Sequence, residues 1–566
     1  MSEITNKTGE RGVLLVGDTT LDPLARMLAR GPELPKLRTT AAPFGQIYQI
    51  LLDANHAVWS SEPEIVVVWT APHLTLPSLA QMLRFDYRSV TEVYDAALRE
   101  AEQFADAIVS AAQRVGTVLM PTWILPTHER WIQTLAWRHG AGPANLLAKA
   151  NLVLAERCAA QPNIVLLDSA YWQASISKPA YDSRMFAVAK ILYSPALFEK
   201  AAAEIKAVLR GSLGGGKKVV VCDLDNTLWG GVVGDDGPQN IKLGAPDPVG
   251  ECFQTFQEAL KGLRSRGILL AISSKNDETL ALSTIEDHPE MVLRKRDFVA
   301  WRINWSGKAE NLAQLAEELN LGLDSFVFLD DSAQEREQVR QLLPQVYVPD
   351  LPASPSELAP FLCSLNCFET LGLGKEDFER TTMYRAEAGR NEVKDMSGEV
   401  ENWLRSLQIE VRAAPLRRDS LPRAAQLLNK TNQFNLSLRR LDEKSFWEWT
   451  QEPSNSAYTF NVSDRFGDFG LVGLASLSRT GSDARIVDFV MSCRVMGKKV
   501  EEALLGYTVS RAQAAGSSRV IAAPVDGPRN QPAKEFFAAK YLSGDGGSID
   551  PSRVAVPSQI SLKEEG

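Results

Sequence analysis

Three short apolar runs in the middle of the chain each lead into acidic or hydroxyl side chains, and this repetition constrains the fold most strongly. Short apolar runs separated by long helical patterns predict buried strands of a mostly parallel sheet. The polar residues then stand together at the strand ends. The three junctions are residues 219–221 before Asp223 and Asp225, residues 268–272 before Ser273 and Ser274, and residues 326–329 before Asp330 and Asp331.

The aspartate pair at the first junction raises an electrostatic problem. Asp223 and Asp225 are two positions apart and would point to the same side of an extended strand. Like charges at the end of a buried strand are unfavourable unless something compensates them. A surface turn is one explanation, because Asp and Asn favour turns. A phosphoryl-transfer site is the other, since Mg²⁺ prefers oxygen ligands and commonly bridges carboxylate and phosphate.

Length and composition limit the class of protein. The 566 residues predict three domains of roughly 150–200 residues. The formal net charge of −9 disfavours a general binder of nucleic acids or membrane surfaces, and no apolar run reaches the roughly 20 residues of a membrane span. Six scattered cysteines and a polar N-terminus predict a cytoplasmic protein with free thiols. Cys363 and Cys367 lack a second nearby ligand pair, which argues against zinc.

The order of the motifs resembles that of the haloacid-dehalogenase-like (HAD) superfamily. This resemblance implies that Asp223 attacks phosphorus to give an aspartyl-phosphate and that Asp225 is the general acid and base. Either Ser273 or Ser274 serves as the hydroxyl motif, and Ser274 fits better. The catalytic residues so implied are Asp223, Asp225, Thr227, Ser274 and Lys308. The implied Mg²⁺ ligands are Asp223, Asp225, Asp330 and Asp331.

Longer stretches are similar to the FkbH-like group of this superfamily (subfamily IIIC). Proteins of this kind load a glyceryl unit from 1,3-bisphosphoglycerate onto an acyl carrier protein and remove its phosphate, for polyketide biosynthesis. The resemblance implies the same partners here, with Asn276 and Asn311 contacting substrate. This sequence departs from the group at residues 332–334, where it has Ser-Ala-Gln and the group more often has Asn-Pro. The similar stretches are LWGGVVGDDG, SKND, HPEM, NWSGKAENL, FLDDSAQEREQVR, KTNQFN, DRFGDFGLVG and SCRVMG.

Acyl transfer onto a carrier needs chemistry beyond that of a phosphatase, and a cysteine thiolate would be a suitable relay. Cys222 precedes the nucleophile, but strand alternation points its side chain away from Asp223, so packing is expected. Cys493 is the better candidate, with a buried structural thiol as the alternative. Direct transfer to the carrier's pantetheine thiol is a third route.

The third region resembles an acyl-CoA-dependent N-acetyltransferase (GNAT) fold. In that fold a turn with Arg and Gly opens a helix whose N–H groups hold pyrophosphate. Arg494 and Gly497 match the turn and are candidate substrate-binding residues, but Lys499 occupies its last position. Asn530 stands where such folds often carry a functional Asn. These residues are compatible with a surface that binds a pantetheine arm or a carrier protein. They are equally compatible with a degenerate, structural domain.

The first region resembles an SGNH-type hydrolase that has lost its catalytic residues. Thr19 replaces the serine nucleophile after Gly17 and Asp18, and within this region no histidine follows Asp168. A Ser-His-Asp mechanism requires its base. We therefore expect a scaffold or protein-docking role and no hydrolase activity in this region.

These resemblances predict an α/β protein of three domains. They are a degenerate SGNH-like α/β layer at 1–210, an HAD-like Rossmannoid parallel sheet at 217–370 and a GNAT-like α+β domain at 371–545, with a flexible tail at 546–566 and a linker at 211–216. Three functions are weighed: a Mg²⁺-dependent glyceryl transferase and phosphatase, a phosphatase acting on another small phosphate ester, and a non-catalytic assembly protein. The intact acidic motifs and Lys308 argue against the third.

Overall fold

The computed structural model describes residues 10–31, 36–125, 131–372, 374, 377–378, 380–384, 400–527, 530–543 and 547–565. The chain divides into two compact units, Met1–Arg210 and Gly211–Gly566. The second unit holds both the expected phosphatase region and the third region of the sequence. None of the described helices combines the length and the apolar character needed to cross a membrane.

The first unit is built on five parallel strands in the order β2-β1-β3-β4-β5. The strands are β1 Glu10–Gly17, β2 Lys36–Ala41, β3 Ile65–Trp69, β4 Thr117–Pro121 and β5 Ile164–Leu167. The central strand β3 is buried at every position, as expected when helices cover both faces of a parallel sheet. Alternate residues of β3 join two separate apolar cores, one on each face.

Nine helices are associated with this sheet in the part of the chain that the structure describes. They are α1 Asp22–Ala29, α2 Ile47–Leu52, α3 Pro72–Thr75, α4 Pro77–Leu83, α5 Val90–Ala112, α6 Pro143–Cys158, α7 Ser169–Ala174, α8 Ser183–Ala189 and α9 Pro195–Ser212. Ser89 caps the N-terminus of the long helix α5, and its side chain accepts a hydrogen bond from Glu92 N. Because α9 extends to Ser212, the first residues of the expected linker at 211–216 are helical instead.

The second unit begins with a four-stranded parallel sheet in the order β8-β7-β6-β9. Its strands are β6 Val219–Cys222, β7 Leu269–Ser274, β8 Phe298–Ile303 and β9 Phe326–Leu329. Its helices are α10 Val233–Asp236, α11 Pro248–Ser265, α12 Glu278–Asp287, α13 Lys308–Glu318, α14 Ala333–Leu342 and α15 Pro355–Ser364. Strand alternation places Val220 and Cys222 in one core and Val219 and Val221 in the other.

The remainder of the second unit forms an eight-stranded mixed sheet in the order β15-β16-β14-β13-β12-β11-β10-β17. Its strands are β10 Ile409–Pro415, β11 Asn455–Asp464, β12 Gly467–Thr480, β13 Asp483–Met491, β14 Arg519–Ala522, β15 Leu542–Ser543, β16 Ser548–Ile549 and β17 Ile560–Glu564. Its helices are α16 Val400–Leu407, α17 Leu421–Lys430, α18 Glu443–Thr450, α19 Val500–Ala514 and α20 Gln531–Lys540.

The structure differs from the sequence expectation in two places, the C-terminal tail and the phosphatase sheet. The tail expected at 546–566 is not loose throughout, because β17 pairs in parallel with β10 and buries Ile560. In the phosphatase sheet, β8 joins the three strands that the apolar runs predicted, whereas residues 345–348 after β9 form no strand. The structure has an isolated bridge between Tyr347 and Val327 there. Pro344 and Pro349 flank this stretch, and proline cannot donate to a ladder.

Candidate functional site

The polar residues at the strand ends meet at the carboxyl edge of the four-stranded sheet. Asp223 directly follows β6, Ser274 ends β7 and Asp330 directly follows β9. The backbone N–H of Asp223 donates to the carbonyl of Leu329 at 2.9 Å, which extends the pairing of β6 and β9 by one residue. The sheet register therefore fixes the first and third motifs side by side.

An acidic cluster forms at this edge from Asp223, Asp330 and Asp331. One carboxylate oxygen from each residue lies within 4.8 Å of the others. Asp330 is fully buried, whereas Asp331 is exposed, so the cluster opens to solvent on one side. An all-oxygen donor set that needs a counter-charge suits Mg²⁺, which usually binds one or two carboxylates and keeps waters and phosphate as further ligands. Mg²⁺ is the cofactor that these residues would hold.

Lys308 provides the protein's own counter-charge at the cluster. It begins α13, its side chain is only 2% exposed, and its Nζ lies 2.7 Å from Asp223 Oδ1 and 3.1 Å from Asp330 Oδ2. The same ammonium donates to the carbonyl of Ser273 at 2.6 Å. The contacts to Asp223 and Ser273 are hydrogen bonds, and the contact to Asp330 is an ion pair. The lysine therefore holds the ends of β6, β7 and β9 together while it neutralises part of the cluster.

The charged groups of the cluster shift one another's pKa values. Burial raises the pKa of Asp330 to about 6, with Asp223 adding to the shift and Lys308 opposing it. Burial and then Asp223 raise the pKa of Asp331. Burial opposes the charge of Lys308, but Asp223 and Asp330 outweigh it and raise the pKa of the ammonium. The site therefore carries an excess of negative charge that a divalent cation would relieve.

Asp225 lies outside this acidic cluster, and its role as a Mg²⁺ ligand stays a prediction. Its Oδ1 accepts hydrogen bonds from Trp229 Nε1 at 2.9 Å and from Val233 N at 3.0 Å. Its Oδ2 accepts one from Asn276 Nδ2 at 2.9 Å. Burial raises the pKa of Asp225 even so, and Asp223 adds to the shift. A carboxyl group with a raised pKa, held beside the nucleophile candidate, suits proton transfer better than metal binding.

The predicted substrate residues Asn276 and Asn311 both contact protein groups. Asn276 orients Asp225 through the hydrogen bond described above. Asn311 is fully buried and forms a reciprocal amide pair with Asn304, with hydrogen bonds of 3.1 and 3.2 Å. Asn304 N in turn donates to the carbonyl of Ser274. Both residues therefore hold other groups of the site in place, Asn276 holding Asp225 and Asn311 holding Asn304.

The hydroxyl candidates occupy different positions. Thr227 is buried, and its Oγ1 accepts a hydrogen bond from Asp331 N at 3.2 Å, which ties the first motif to the third. Ser273 and Ser274 are both buried at the end of β7, and the Oγ of Ser273 has no hydrogen-bond partner among the described residues. Ser273 contributes its carbonyl to Lys308. The assignment of Ser274, and not Ser273, as the hydroxyl motif stays a prediction.

Two supporting residues at this edge were not found from the sequence. Arg336 is buried on α14 and donates to the carbonyls of Asp330 at 2.7 Å and Asp331 at 2.9 Å. Ser332, at the position where the family pattern differs, donates its N–H to Asp330 Oδ1 at 2.9 Å and caps α14 by accepting from Glu335 N. Arginine one helical turn after an acidic pair was the available signal, but helical arginines are usually exposed.

Cys493 lies away from the acidic cluster, at the other end of α13. Its carbonyl accepts a hydrogen bond from Asn320, just beyond the end of that helix, whereas Lys308 at the start of the helix contacts Asp223. Eleven helical residues span about 16 Å. The thiol is half-buried and lies 3.9 Å from the hydroxyl of Tyr384. The structure therefore does not bring the predicted relay cysteine to the predicted nucleophile.

The prediction that Cys222 packs in the core is confirmed. The side chain is fully buried in the apolar cluster on one face of the phosphatase sheet. Burial, reinforced by Asp223, raises the pKa of its thiol far above the usual range. A thiol that resists ionisation is a poor nucleophile.

The turn candidates Arg494 and Gly497 occupy a short connection between β13 and α19. Arg494 donates through Nε to Ser492 Oγ at 3.1 Å, and Gly497 has a positive φ of 73°. Lys499 also has a positive φ, of 60°, and pairs with Glu401 at 3.7 Å. Asn530 is fully buried and donates to the carbonyls of Asn435 and Val525. Substrate binding by Arg494 and Gly497 stays a prediction.

Two polar clusters without an assigned role form local structure. Within the KTNQFN stretch, the buried Asn435 accepts from the N–H groups of Ser437 and Leu438, which shapes the following loop. Within the DRFGD stretch, Asp464 accepts from the N–H groups of residues 466 and 467 at the β11–β12 turn. Both are side-chain-to-backbone bonds of the kind that Asn and Asp commonly form in turns.

The first unit has a separate carboxylate at the end of β1. Asp18 accepts from Ala71 N at 2.9 Å and from Thr75 Oγ1 at 2.9 Å. Burial raises its pKa to about 7, against the opposing effect of these hydrogen bonds. Thr19 is buried, and its Oγ1 has no hydrogen-bond partner within the described part of the chain. Asp168 caps α7 by accepting from Tyr171 N.

Comparisons with known proteins add to this geometry. No protein-family model matches the sequence, and no curated protein matches it. One similar solved structure is the N-terminal part of the protein BF1531 from Bacteroides fragilis, which contains a phosphatase domain and is complexed with Mg. It is 30% identical with a TM-score of 0.59, and the match covers 64% of this chain and 95% of that chain.

Two further solved structures match at low similarity. The ribosomal-protein-S18-alanine N-acetyltransferase from Escherichia coli is 13% identical over 24% of this chain and 88% of that one, with a TM-score of 0.19. N-acetylglutamate synthase from Neisseria gonorrhoeae is 13% identical over 60% of this chain and 92% of that one, also with a TM-score of 0.19. The identity and coverage of the BF1531 match, by contrast, show that this chain belongs to the same family of HAD-like phosphatase-domain proteins.

Proposed function

We propose that the chain is a Mg²⁺-dependent enzyme that transfers and hydrolyses phosphoryl groups through an aspartyl-phosphate on Asp223. The observation that carries this proposal is the acidic cluster of Asp223, Asp330 and Asp331, gathered within 4.8 Å around a buried Lys308. Bound Mg²⁺ would offset charge that develops on the transferring phosphoryl group. The protein's own residues carry out the nucleophilic attack and the proton transfers.

In the first step, a carboxylate oxygen of Asp223 attacks phosphorus. The new bond joins that oxygen to phosphorus, the bond from phosphorus to the leaving oxygen breaks, and Asp225 supplies the proton. In the second step, water attacks the aspartyl-phosphate and Asp225 takes the proton, which releases phosphate and restores Asp223. The raised pKa of Asp225 supports its role as proton donor. Lys308 keeps Asp223 oriented between β7 and β9.

The proposed substrate is 1,3-bisphosphoglycerate and the proposed acceptor is a separate acyl carrier protein. Similarity to the FkbH-like group at SKND, NWSGKAENL and SCRVMG supports this choice. Because Cys493 lies beyond the far end of α13, we assign acyl transfer to the carrier's own thiol. Its sulfur attacks the acyl carbon, a C–S bond forms, the bond from carbon to the phosphate oxygen breaks, and the thiol proton leaves with phosphate.

A phosphatase acting on another small phosphate ester is the second candidate. The position of Cys493 favours this second candidate. Among the described residues, the carboxyl edge holds groups for phosphoryl chemistry but no thiol placed for acyl transfer. In this case the C-terminal sheet would take no part in an acyl step.

Intact-mass spectrometry separates the two candidates. The protein, Mg²⁺ and 1,3-bisphosphoglycerate are incubated with candidate carrier proteins in their pantetheinylated form. The first proposal predicts a glyceryl adduct on one carrier and inorganic phosphate in solution. Phosphate release with no adduct on any carrier supports the second candidate. If neither product forms while the folded protein retains bound Mg²⁺, the first proposal is wrong.

A further inference from the structure

A cavity of about 330 Å³ lies at the amino edge of the four-stranded sheet, opposite the acidic cluster. Lys218, Leu269 and Ser325 contribute to its wall. These residues mark the amino edge, because they stand directly before β6, at the start of β7 and directly before β9. Since the strands run parallel, the four residues of β6 separate the two edges by about 13 Å. The amino-edge cavity is therefore distinct from the phosphoryl site.

Lys430 lines this cavity, and its charge has no direct partner. It stands in the last turn of α17 and is half-buried, and its ammonium makes no hydrogen bond or ion pair within 4.0 Å among the described residues. An ammonium in a partly enclosed place loses hydration, and here no carboxylate in contact compensates that loss. Lys308 shows the opposite arrangement, because two carboxylates lie against its ammonium. The position of Lys430 therefore favours the neutral amine.

The surroundings of Lys430 agree with this preference. Burial is the largest cause that lowers the pKa of Lys430, to about 8. Asp377 opposes the shift, whereas Arg380, Arg423 and Lys218 add to it. Asp377 is itself paired with Arg380. At pH 7 roughly one chain in ten therefore carries Lys430 as the neutral amine, which is the nucleophilic form of the side chain.

The cavity beside Lys430 has apolar wall that can accept a small organic group. Leu427 lies three residues earlier on α17, on the same face of the helix as Lys430. Leu321 and Tyr384 line the same cavity. Small-molecule sites are concave, with volumes of roughly 300–1,000 Å³ and largely apolar walls. A desolvated lysine in such a place is a recognised form of activated nucleophile.

Acylation suits this amine better than formation of an imine. An amide nitrogen carries no charge near neutral pH, whereas an imine nitrogen still takes up a proton, so only acylation removes the charge that the cavity disfavours. An acyl phosphate is a donor that needs no further cofactor. The amine nitrogen of Lys430 attacks the acyl carbon, a C–N bond forms, and the bond from that carbon to the phosphate oxygen breaks. The bonding pair and the amine proton leave with phosphate.

We propose that Lys430 is a modification site, where a small acyl phosphate enters the amino-edge cavity and acylates the side-chain amine. The products are an amide on Nζ of Lys430 and inorganic phosphate. This reaction goes beyond the function proposed above, because it requires neither Asp223 nor Mg²⁺. It shares with that function only the chemical class of the acyl donor. The modified chain loses one positive charge at the amino edge, and the groups at the carboxyl edge are unchanged.

The test uses the full chain in EDTA, which keeps Mg²⁺ from the carboxyl edge. The protein is incubated with acetyl phosphate from about pH 6 to about pH 10, and peptide-resolved mass spectrometry measures the rate of acetylation at Lys430. Lys261, exposed on α11, is the internal reference. The same measurement in guanidinium chloride gives the rate at Lys430 in the unfolded chain. Asp223→Asn and Lys430→Met are the two variants.

At pH 7, Lys430 in the folded chain should be acetylated about tenfold or more faster than Lys261. Its rate should level off above about pH 8, whereas the rate at Lys430 in the unfolded chain should keep rising toward pH 10. Asp223→Asn should keep this acetylation and lose phosphate release with Mg²⁺, and Lys430→Met should do the reverse. Equal rates at Lys430 and Lys261 in the folded chain overturn the proposal. So does a rate at Lys430 that unfolding leaves unchanged, or acetylation that is lost in Asp223→Asn.

Discussion

The two edges of one four-stranded sheet have opposite electrostatic character. At the carboxyl edge, three aspartates surround one buried lysine. At the amino edge, five cations line a cavity with one acidic residue among its described lining. Residues next to β6, β7 and β9 contribute to both arrangements. Parallel strands make this separation possible because all their carboxyl ends lie on one side.

The difference also concerns how each edge is assembled. The acidic cluster comes from residues directly after β6 and β9, so strand pairing alone brings the residues together. The cationic cavity is lined by residues that lie far apart in the chain, from Lys218 to Arg494. Substitutions at the first edge should therefore change chemistry, whereas those at the second should change binding and stability.

The largest effect is expected for Asp223→Asn, which removes the nucleophile while the neighbouring backbone bond to Leu329 is kept. Phosphate release with Mg²⁺ should fall about a thousandfold or more, because an amide cannot form the aspartyl-phosphate. The measurement is steady-state phosphate release from a small phosphate ester. Asp235→Asn, an exposed aspartate on α10, is the matched control and should keep normal activity. Full activity in Asp223→Asn would remove Asp223 from the mechanism.

Lys308→Met should have the largest effect on stability. It leaves Asp223 and Asp330 facing each other without their shared cation, and breaking a buried ion pair in this way costs about 3–5 kcal/mol. We expect this loss of unfolding free energy in EDTA and a partial recovery in Mg²⁺, larger than the gain of the unaltered protein. Urea unfolding in both conditions measures it.

The matched control for that comparison is Lys275→Met. Lys275 is a partly exposed lysine paired with Glu335 at 2.5 Å, and surface pairs contribute about 0–1 kcal/mol. If Lys308→Met and Lys275→Met are equally stable in EDTA, Lys308 does not provide the counter-charge of the acidic cluster.

The carboxyl edge was largely predictable from the sequence because its residues adjoin apolar runs. Asp223, Ser274 and Asp330 stand where strands end, and strand ends are visible in a hydrophobic pattern. The direction of each side chain was not visible. Asp225 turns toward Trp229 and Asn276 because of the tight turn after β6, in which Asn226 has a positive φ of 54°. Two-residue alternation does not hold beyond the end of a strand.

The amino edge could not have been predicted in the same way. Lys218, Arg380, Arg423 and Lys430 are spread over more than two hundred positions, and each alone is typical of an exposed surface cation. They line one cavity only once the second unit has folded. Strand β17 illustrates the same limit, because its partner β10 lies about 150 residues earlier in the chain.

A smaller effect, in stability, is expected for Lys430→Met. Burial lowers the pKa of Lys430 to about 8 from an ordinary value of 10.5. Below pH 8 both folded and unfolded chains carry the proton, and the full cost of the buried charge is present. Between pH 8 and 10.5 the folded chain loses the proton first, so the stability of the unaltered protein rises with pH.

Lys430→Met should therefore be more stable than the unaltered protein at pH 7, by about 1–2 kcal/mol after solvent screening, with a difference that shrinks toward pH 10. Urea unfolding across this range measures the difference, with Lys261→Met as the control that should show no such trend. A difference that is constant with pH would show that Lys430 is ionised equally in both states.

The smallest effect is expected for Cys493→Ala, which tests whether the two edges act separately. The thiol lies beyond the end of α13 that is remote from Lys308, so phosphate release at the carboxyl edge should change less than about twofold. Carrier loading should also persist if the carrier's own thiol attacks the acyl carbon. Steady-state phosphate release and intact-mass spectrometry measure the two reactions, with Cys363→Ala as the exposed control. Loss of carrier loading with phosphate release intact would reinstate Cys493 as an acyl relay and require the two edges to cooperate in one reaction.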